Sequence, residues 1–126
     1  MPLDNPHQAP ISDLELLMDA RDRICVNVLW VQGRFSEGDR HCLVAALSLA
    51  CGNHSFRAPN QTERQLARLL ANQLPRNLWA KIRLVPARQR LMSFNDDPRT
   101  SHEDVIALLD RTIGHLASKV AICLTM

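Results

Sequence analysis

The sequence predicts an all-α fold, a compact bundle of about five helices, on three observations. Apolar residues recur at three- and four-residue spacing along most of the chain. Serine, threonine or asparagine followed three residues later by glutamate precedes several of these stripes, a pairing that satisfies the free amides of a first helical turn. No long alternating run, no Asn-Gly hairpin and no tyrosine favours a sheet. With 126 residues, 46% of them hydrophobic, the chain has the size and composition of one globular domain with its own core. The expected organisation is a disordered tail over 1–12, a helical domain over 13–119 and a C-terminal tail over 120–126.

Each element has its own signal. Ser12 with Glu15 forms a capping box, and Leu14, Leu17, Met18, Cys25, Val28 and Leu29 follow at helical spacing, so a first helix is expected over 13–31 with Gly33 as its stop. Asp39 is the expected N-cap of a second helix in which Leu43, Ala46, Leu47 and Ala50 share a face, ended by Gly52. Its small residues allow neighbours to approach closely, as in the central helix of a bundle. Asn60 and Glu63 open a third helix, with Leu66, Leu69, Leu70 and Leu74 as its stripe up to Pro75. "RNLWAKIRLV" reads as a short helix or an extended piece, and "ARQRLMSFND" beyond Pro86 as another short helix. Thr100 with Glu103 caps the last helix, expected over 101–119 on Val105, Leu109, Ile113 and Leu116.

Composition narrows the function classes. The N-terminal segment lacks the basic start and apolar core of a signal peptide, and no run reaches the length of a membrane span. Cys25, Cys42, Cys51 and Cys123 lie in apolar segments, and a cytoplasmic protein with reduced thiols is expected. The net charge of +2 conceals an asymmetry. Residues 57–90 carry eight basic residues against Glu63 alone, while the segments before and after are acidic. Such thirds neutralise one another within a fold or across a homodimer, or the middle one meets an anion through Arg64, Arg68, Arg83, Arg88 and Arg90. Nucleic acid is a weaker reading, with Trp79 as a base-stacking residue, because the loop from Gly52 to Asn60 is too long for a helix-turn-helix.

Cys42 is the candidate for catalysis. Capped by Asp39, it would lie in a first helical turn, where the dipole, Arg40 and His41 favour a thiolate. Gln32, His102, His115 and Asn95 are the available bases and oxyanion donors. A packed thiol at a helix start explains the same residue without chemistry. Cys51 and His54 form one C-x-x-H pair, but a zinc site wants a second spaced pair, so neither metal nor cofactor is expected. Asn95, Asp96 and Asp97 read more simply as a turn feeding a helix start than as a cation site. No phosphate loop, dinucleotide fingerprint, H-E-x-x-H or G-x-S-x-G motif is present.

"LWVQG" (29–33), "HCLVAALSLACG" (41–52) and "SFNDDPRTSHEDVIALLDRTI" (93–113) together resemble a family of short bacterial and phage proteins of unknown function. The resemblance spans about residues 13–118. The matched positions are Trp30, Gln32, Gly33, Cys42, Ala46, Leu47, Asn95, Asp96, Arg99, Thr100, Asp104, Val105 and Leu108. The chain departs in Phe94, where the family often has tryptophan, in Thr112, where it often has alanine, and in a shorter link between the Gln-Gly and the cysteine. The resemblance implies a fold and a set of linked positions rather than an activity. Trp30, Gln32, Cys42, Asn95, Asp96 and Arg99 are a polar set able to line one pocket, or to shape turns and caps. The reading that results is a non-enzymatic helical interaction or regulatory module with a protein partner, a second copy of itself included. A small enzyme or ligand-binding protein centred on Cys42 is the alternative, and nucleic-acid binding through 57–90 a third.

Overall fold

The computed structural model describes residues 9–54, 58–75 and 84–125. Among them five α-helices pack around one core: α1 (Ala9–Arg23), α2 (Leu43–Ala50), α3 (Gln61–Ala71), α4 (Ala87–Asp96) and α5 (His102–Thr125). The compact helical fold expected from the sequence is therefore present. A 3-10 turn (Asn27–Leu29) and a two-stranded ribbon of β1 (Ser36–Glu37) and β2 (Arg40–His41) join α1 to α2. The pieces expected at "RNLWAK" and at the basic residues Arg76, Lys81 and Arg83 lie outside the described residues, as does Trp79.

The centre of the bundle is α2, where Leu43, Val44, Ala45, Ala46, Leu47 and Ser48 are all buried. A helix without a polar face must be surrounded. Accordingly α1, α3 and α4 all pack on it, α1 also packs on α5, and α3 on α4. Leu17 and Ala20 face inward from α1, with Ile24 just beyond its end, Leu66 and Leu70 from α3, Leu91 and Phe94 from α4, and Val105, Leu108 and Leu109 from α5. Each buried leucine contributes about 2 kcal/mol through area removed from water.

Several helix starts differ from the expected ones. Helix α1 begins at Ala9, so Ser12 is an interior residue and not a cap. The same helix stops at Arg23 rather than near residue 31. The β-branched residues beyond it favour extended backbone, and Val31 uses its amide to reach the His41 carbonyl at 3.1 Å, in a bridge that sets Trp30 beside His41.

Asp39 lies in the turn of the ribbon, and the N-cap of α2 is Cys42, whose Sγ accepts from the Ala45 amide. The last helix is capped one residue later than expected. Ser101 Oγ accepts from the Asp104 amide at 3.1 Å and Asp104 Oδ2 accepts from the Ser101 amide at 2.9 Å, a reciprocal box that replaces Thr100 and Glu103. Helix α5 then runs on to Thr125, beyond the expected end at 119.

Two other ends follow the sequence. Asn60 caps α3 by accepting from the Glu63 amide at 2.8 Å. After α2, Gly52 takes φ +81°, and Asn53 and Gly52 donate back to the Ser48 and Leu49 carbonyls at 2.8 and 3.0 Å. This pair of bonds needs a residue free to turn left-handed, which glycine is.

Candidate functional site

The three motif stretches meet at Asn95, the penultimate residue of α4, which has no solvent exposure. Its Oδ1 accepts from Trp30 Nε1 at 2.7 Å and from the Leu43 amide at 3.0 Å. Its Nδ2 donates to the Val31 carbonyl at 3.1 Å and to Asp96 Oδ1 at 2.9 Å. One amide side chain thus uses both lone-pair directions and both hydrogens. Leu43 is the first residue of α2, so Asn95 also satisfies a helix-start amide of a different element.

Gln32 performs the complementary task from the other side. Its Nε2 donates to the carbonyls of Asn95, Asp97 and Thr100 at 2.9, 2.9 and 3.1 Å, holding the turn between α4 and α5. Next to it Gly33, at φ +78°, turns its amide to Asp96 Oδ1 at 2.8 Å. A side chain at that φ is strained, which explains the glycine in Gln-Gly. Segment 30–33 and turn 95–100 form a polar clasp across about 65 residues of sequence.

Cys42 sits at the edge of the clasp and is 4% exposed. Its amide donates to the Phe35 carbonyl at 2.8 Å, and Sγ accepts from Ala45 N at 3.3 Å. Burial pushes the thiol above its ordinary range, outweighing the amides that pull it down. Burial thus opposes the low pKa expected at a first helical turn, because it desolvates the thiolate. The residues proposed to assist it are engaged elsewhere. His41 Nδ1 pairs with Ser36 Oγ at 2.8 Å, and burial together with the Arg23 charge lowers its pKa. His102 Nε2 donates to the Ile24 carbonyl, and its ring leans on Trp30 at 5.8 Å. His115 is exposed on α5.

Among the described residues, members of the polar set line two separate depressions. Trp30 and Gln32 line an open depression of about 480 Å³ with Asn27, Val28, Val31 and Arg40. Asp96 lines another, with Val85, Gln89, Met92 and Ser93. Arg99 stands at the surface, bound to Asp97 at 2.8 Å, and its guanidinium holds the Asp97 carboxyl down at about 2. Among the described residues no three histidine, cysteine or acidic side chains are grouped to hold a metal. Cys51 beside the exposed His54 is pushed up to about 11 by burial and by the charge of Glu63.

A second polar cluster, unforeseen in the sequence, ties α2 to α3. The carboxylate of Glu63 is 1% exposed, accepts from Ser48 Oγ and takes Asn53 Nδ2 at 2.9 Å. Arg88 Nε stands 3.8 Å from it, and the guanidinium lies over the Phe35 ring at 5.2 Å. The sequence signalled Glu63 only as a helix-start residue, because its hydrogen-bond partners Ser48 and Asn53 look like ordinary helix and loop residues. Of the anion candidates, Arg64, Arg68 and Arg88 come together on one groove between α3 and α4. Arg90 is half-buried on α4 and Arg83 lies outside the described residues.

Compared with known families, residues 8–115 match the model of one described as a family of unknown function, DUF6197. No curated protein matches the chain. No solved structure matches it either.

Proposed function

The chain thus belongs to DUF6197, which brings no activity with it, and we propose that it is a non-enzymatic helical interaction or regulatory module that works in the cytoplasm through protein contacts. One observation carries this reading. The motif side chains most suited to chemistry, Trp30, Gln32, Asn95 and Asp96, bond to one another and to backbone through Trp30 Nε1, Gln32 Nε2, the whole Asn95 amide and Asp96 Oδ1. A catalytic constellation keeps groups free to meet a substrate; here they fasten the segment before α2 to the turn before α5. Cys25, Cys42 and Cys51 are free thiols, as a reducing compartment would keep them, and no helix among the described residues is long and apolar enough to cross a membrane.

Mapping iodoacetamide labelling by peptide tests the reading. Exposed Cys25 should be labelled readily, and Cys42 more slowly, because it is buried and its thiolate is desolvated. Rapid labelling of Cys42 at acidic pH would sink the proposal and restore a nucleophile.

The partner that the charge pattern fits is a second copy of the chain, its acidic segments meeting the basic one. Val26 and Val28, 49% and 73% exposed beside α1, offer apolar area for such a contact. Size exclusion at low salt should give a dimer that dissociates at high salt. A monomer under both conditions would remove self-association.

A further inference from the structure

We propose that the groove between α3 and α4 is a binding site for a small phosphate monoester. The groove holds about 370 Å³, the scale of a small-ligand site. Arg64 and Arg68, one turn apart on α3, form one wall, and Arg88 from α4 the other. Pro59, Pro86 and Ala67 supply apolar surface between them, and among the described residues no carboxylate lines it.

The charge in this groove is largely uncompensated. Arg64 and Arg68 make no ion pair among the described residues. Arg88 has one acidic neighbour, Glu63, at 3.8 Å, beyond hydrogen-bond reach, and its Nε and Nη2 are enclosed without a hydrogen-bond partner. Three guanidiniums against one carboxylate leave two positive charges, close to the dianion that a phosphate monoester carries at neutral pH. The enclosed Arg88 atoms face away from solvent, so Arg88 contributes its charge, while the exposed guanidiniums of Arg64 and Arg68 offer the donors that phosphate oxygens satisfy in pairs.

The groove is also held in shape from behind. Glu63, fixed by Ser48 and Asn53, and the Phe35 ring together restrain Arg88, so less side-chain freedom remains to be lost on binding. Helix α4 begins at the same place. Its N-cap is Pro86, which offers no side-chain acceptor, so the first-turn amides at Ala87, Arg88 and Gln89 lie at the groove without a side-chain cap. They add donors and the positive end of a helix dipole to the arginines. The apolar walls favour an ester with a flat organic body over free phosphate. The volume of the groove, about 370 Å³, suits a small ligand better than a nucleic-acid strand, which needs a basic track.

The test is a nuclear magnetic resonance titration of the full chain with phenyl phosphate, inorganic phosphate and a short oligothymidylate. Phenyl phosphate should shift the Ala87, Arg88 and Gln89 amides saturably, and more tightly than inorganic phosphate. The double variant Arg64→Gln/Arg68→Gln alters exposed side chains, keeps the helical circular dichroism, and should weaken phenyl phosphate by about tenfold or more. Arg34→Gln, which removes a cation paired to Glu37 elsewhere, should change nothing. Unchanged affinity in the double variant, or no saturable shift in the native chain, overturns the site. Equal affinity for inorganic phosphate overturns the ester. Binding of the oligothymidylate without competition by phenyl phosphate replaces the small ligand with a nucleic-acid backbone. None of these outcomes touches Cys42, so the site and the module reading fail separately.

Discussion

The clasp around Asn95 and the groove around Arg88 are built from similar materials, amides and charged groups brought together from distant parts of the chain, and they are in opposite states. In the clasp every polar atom of Asn95 has a partner, and Gln32 reaches three carbonyls with a single amide nitrogen. In the groove, among the described residues, two donors of Arg88 have none, and two further guanidiniums have no counter-charge. A satisfied buried network fixes one packing and rigidifies it; an unsatisfied one costs free energy until something fills it. The clasp is therefore the fold's own joint, and the groove is where an outside molecule gains most.

The largest effect that separates the two regions comes from Asn95. Asn95→Ala leaves the Trp30 indole N–H, the Leu43 amide and the Val31 carbonyl without their partner in a site closed to water. Each such group costs about 1 to 3 kcal/mol, so the variant should lose about 4 kcal/mol in urea denaturation. A loss below about 1 kcal/mol would mean that these bonds are not decisive and that the clasp is freer to exchange partners than its geometry implies. The arginine pair should behave in the other way. Its replacement by glutamine should leave stability within about 0.5 kcal/mol while removing the response to phenyl phosphate, since exposed side chains without partners add little to folding.

The same contrast explains what could be read in the sequence. Helices were legible wherever the apolar stripe was regular, as in α3 and α5, because burial of one face dominates helix formation in proteins. Their starts were less so: Ser12, Asp39 and Thr100 are all good capping residues by type, yet Ser12 lies inside α1, and Asp39 and Thr100 each lost to a neighbour for a tertiary reason. Asp39 is drawn into the ribbon turn, so Cys42, an unusual cap, takes the place and is helped by Asn95 from α4. Ser101 and Asp104 bond reciprocally while the Thr100 carbonyl is held by Gln32. The resemblance identified Trp30, Gln32, Gly33, Asn95 and Asp96 as linked positions, and the hydrogen bonds give the link its physical meaning. What no local pattern carried was the Ser48, Asn53 and Glu63 cluster, or the convergence of Arg88 with Arg64 and Arg68, since both depend on how α2, α3 and α4 pack.

The smallest expected effect lies at the rim of the clasp and tests whether its outer shell adds to its inner one. Asp97 accepts from the Arg99 amide at 2.8 Å and from its guanidinium at 2.8 and 3.1 Å, and its pKa falls from the usual 3.8 to about 2. A carboxylate depressed in the folded state stabilises it fully above the ordinary value, and that contribution disappears as pH falls through the folded one. The acid limb of the stability curve should therefore carry a component between about pH 4 and pH 2 that belongs to this pair. Arg99→Ala should return the Asp97 midpoint in a carboxyl-carbon titration toward 3.8 and flatten that component. By linkage it loses at neutral pH the amount that this component spans, which should stay well below the Asn95→Ala loss because both side chains meet solvent and the pair is screened. If Arg99→Ala instead destabilised the neutral protein as much as Asn95→Ala does, the ion pair would be part of the joint itself. The turn from α4 to α5 would then depend on its surface charges and not on the three carbonyls that Gln32 holds from within.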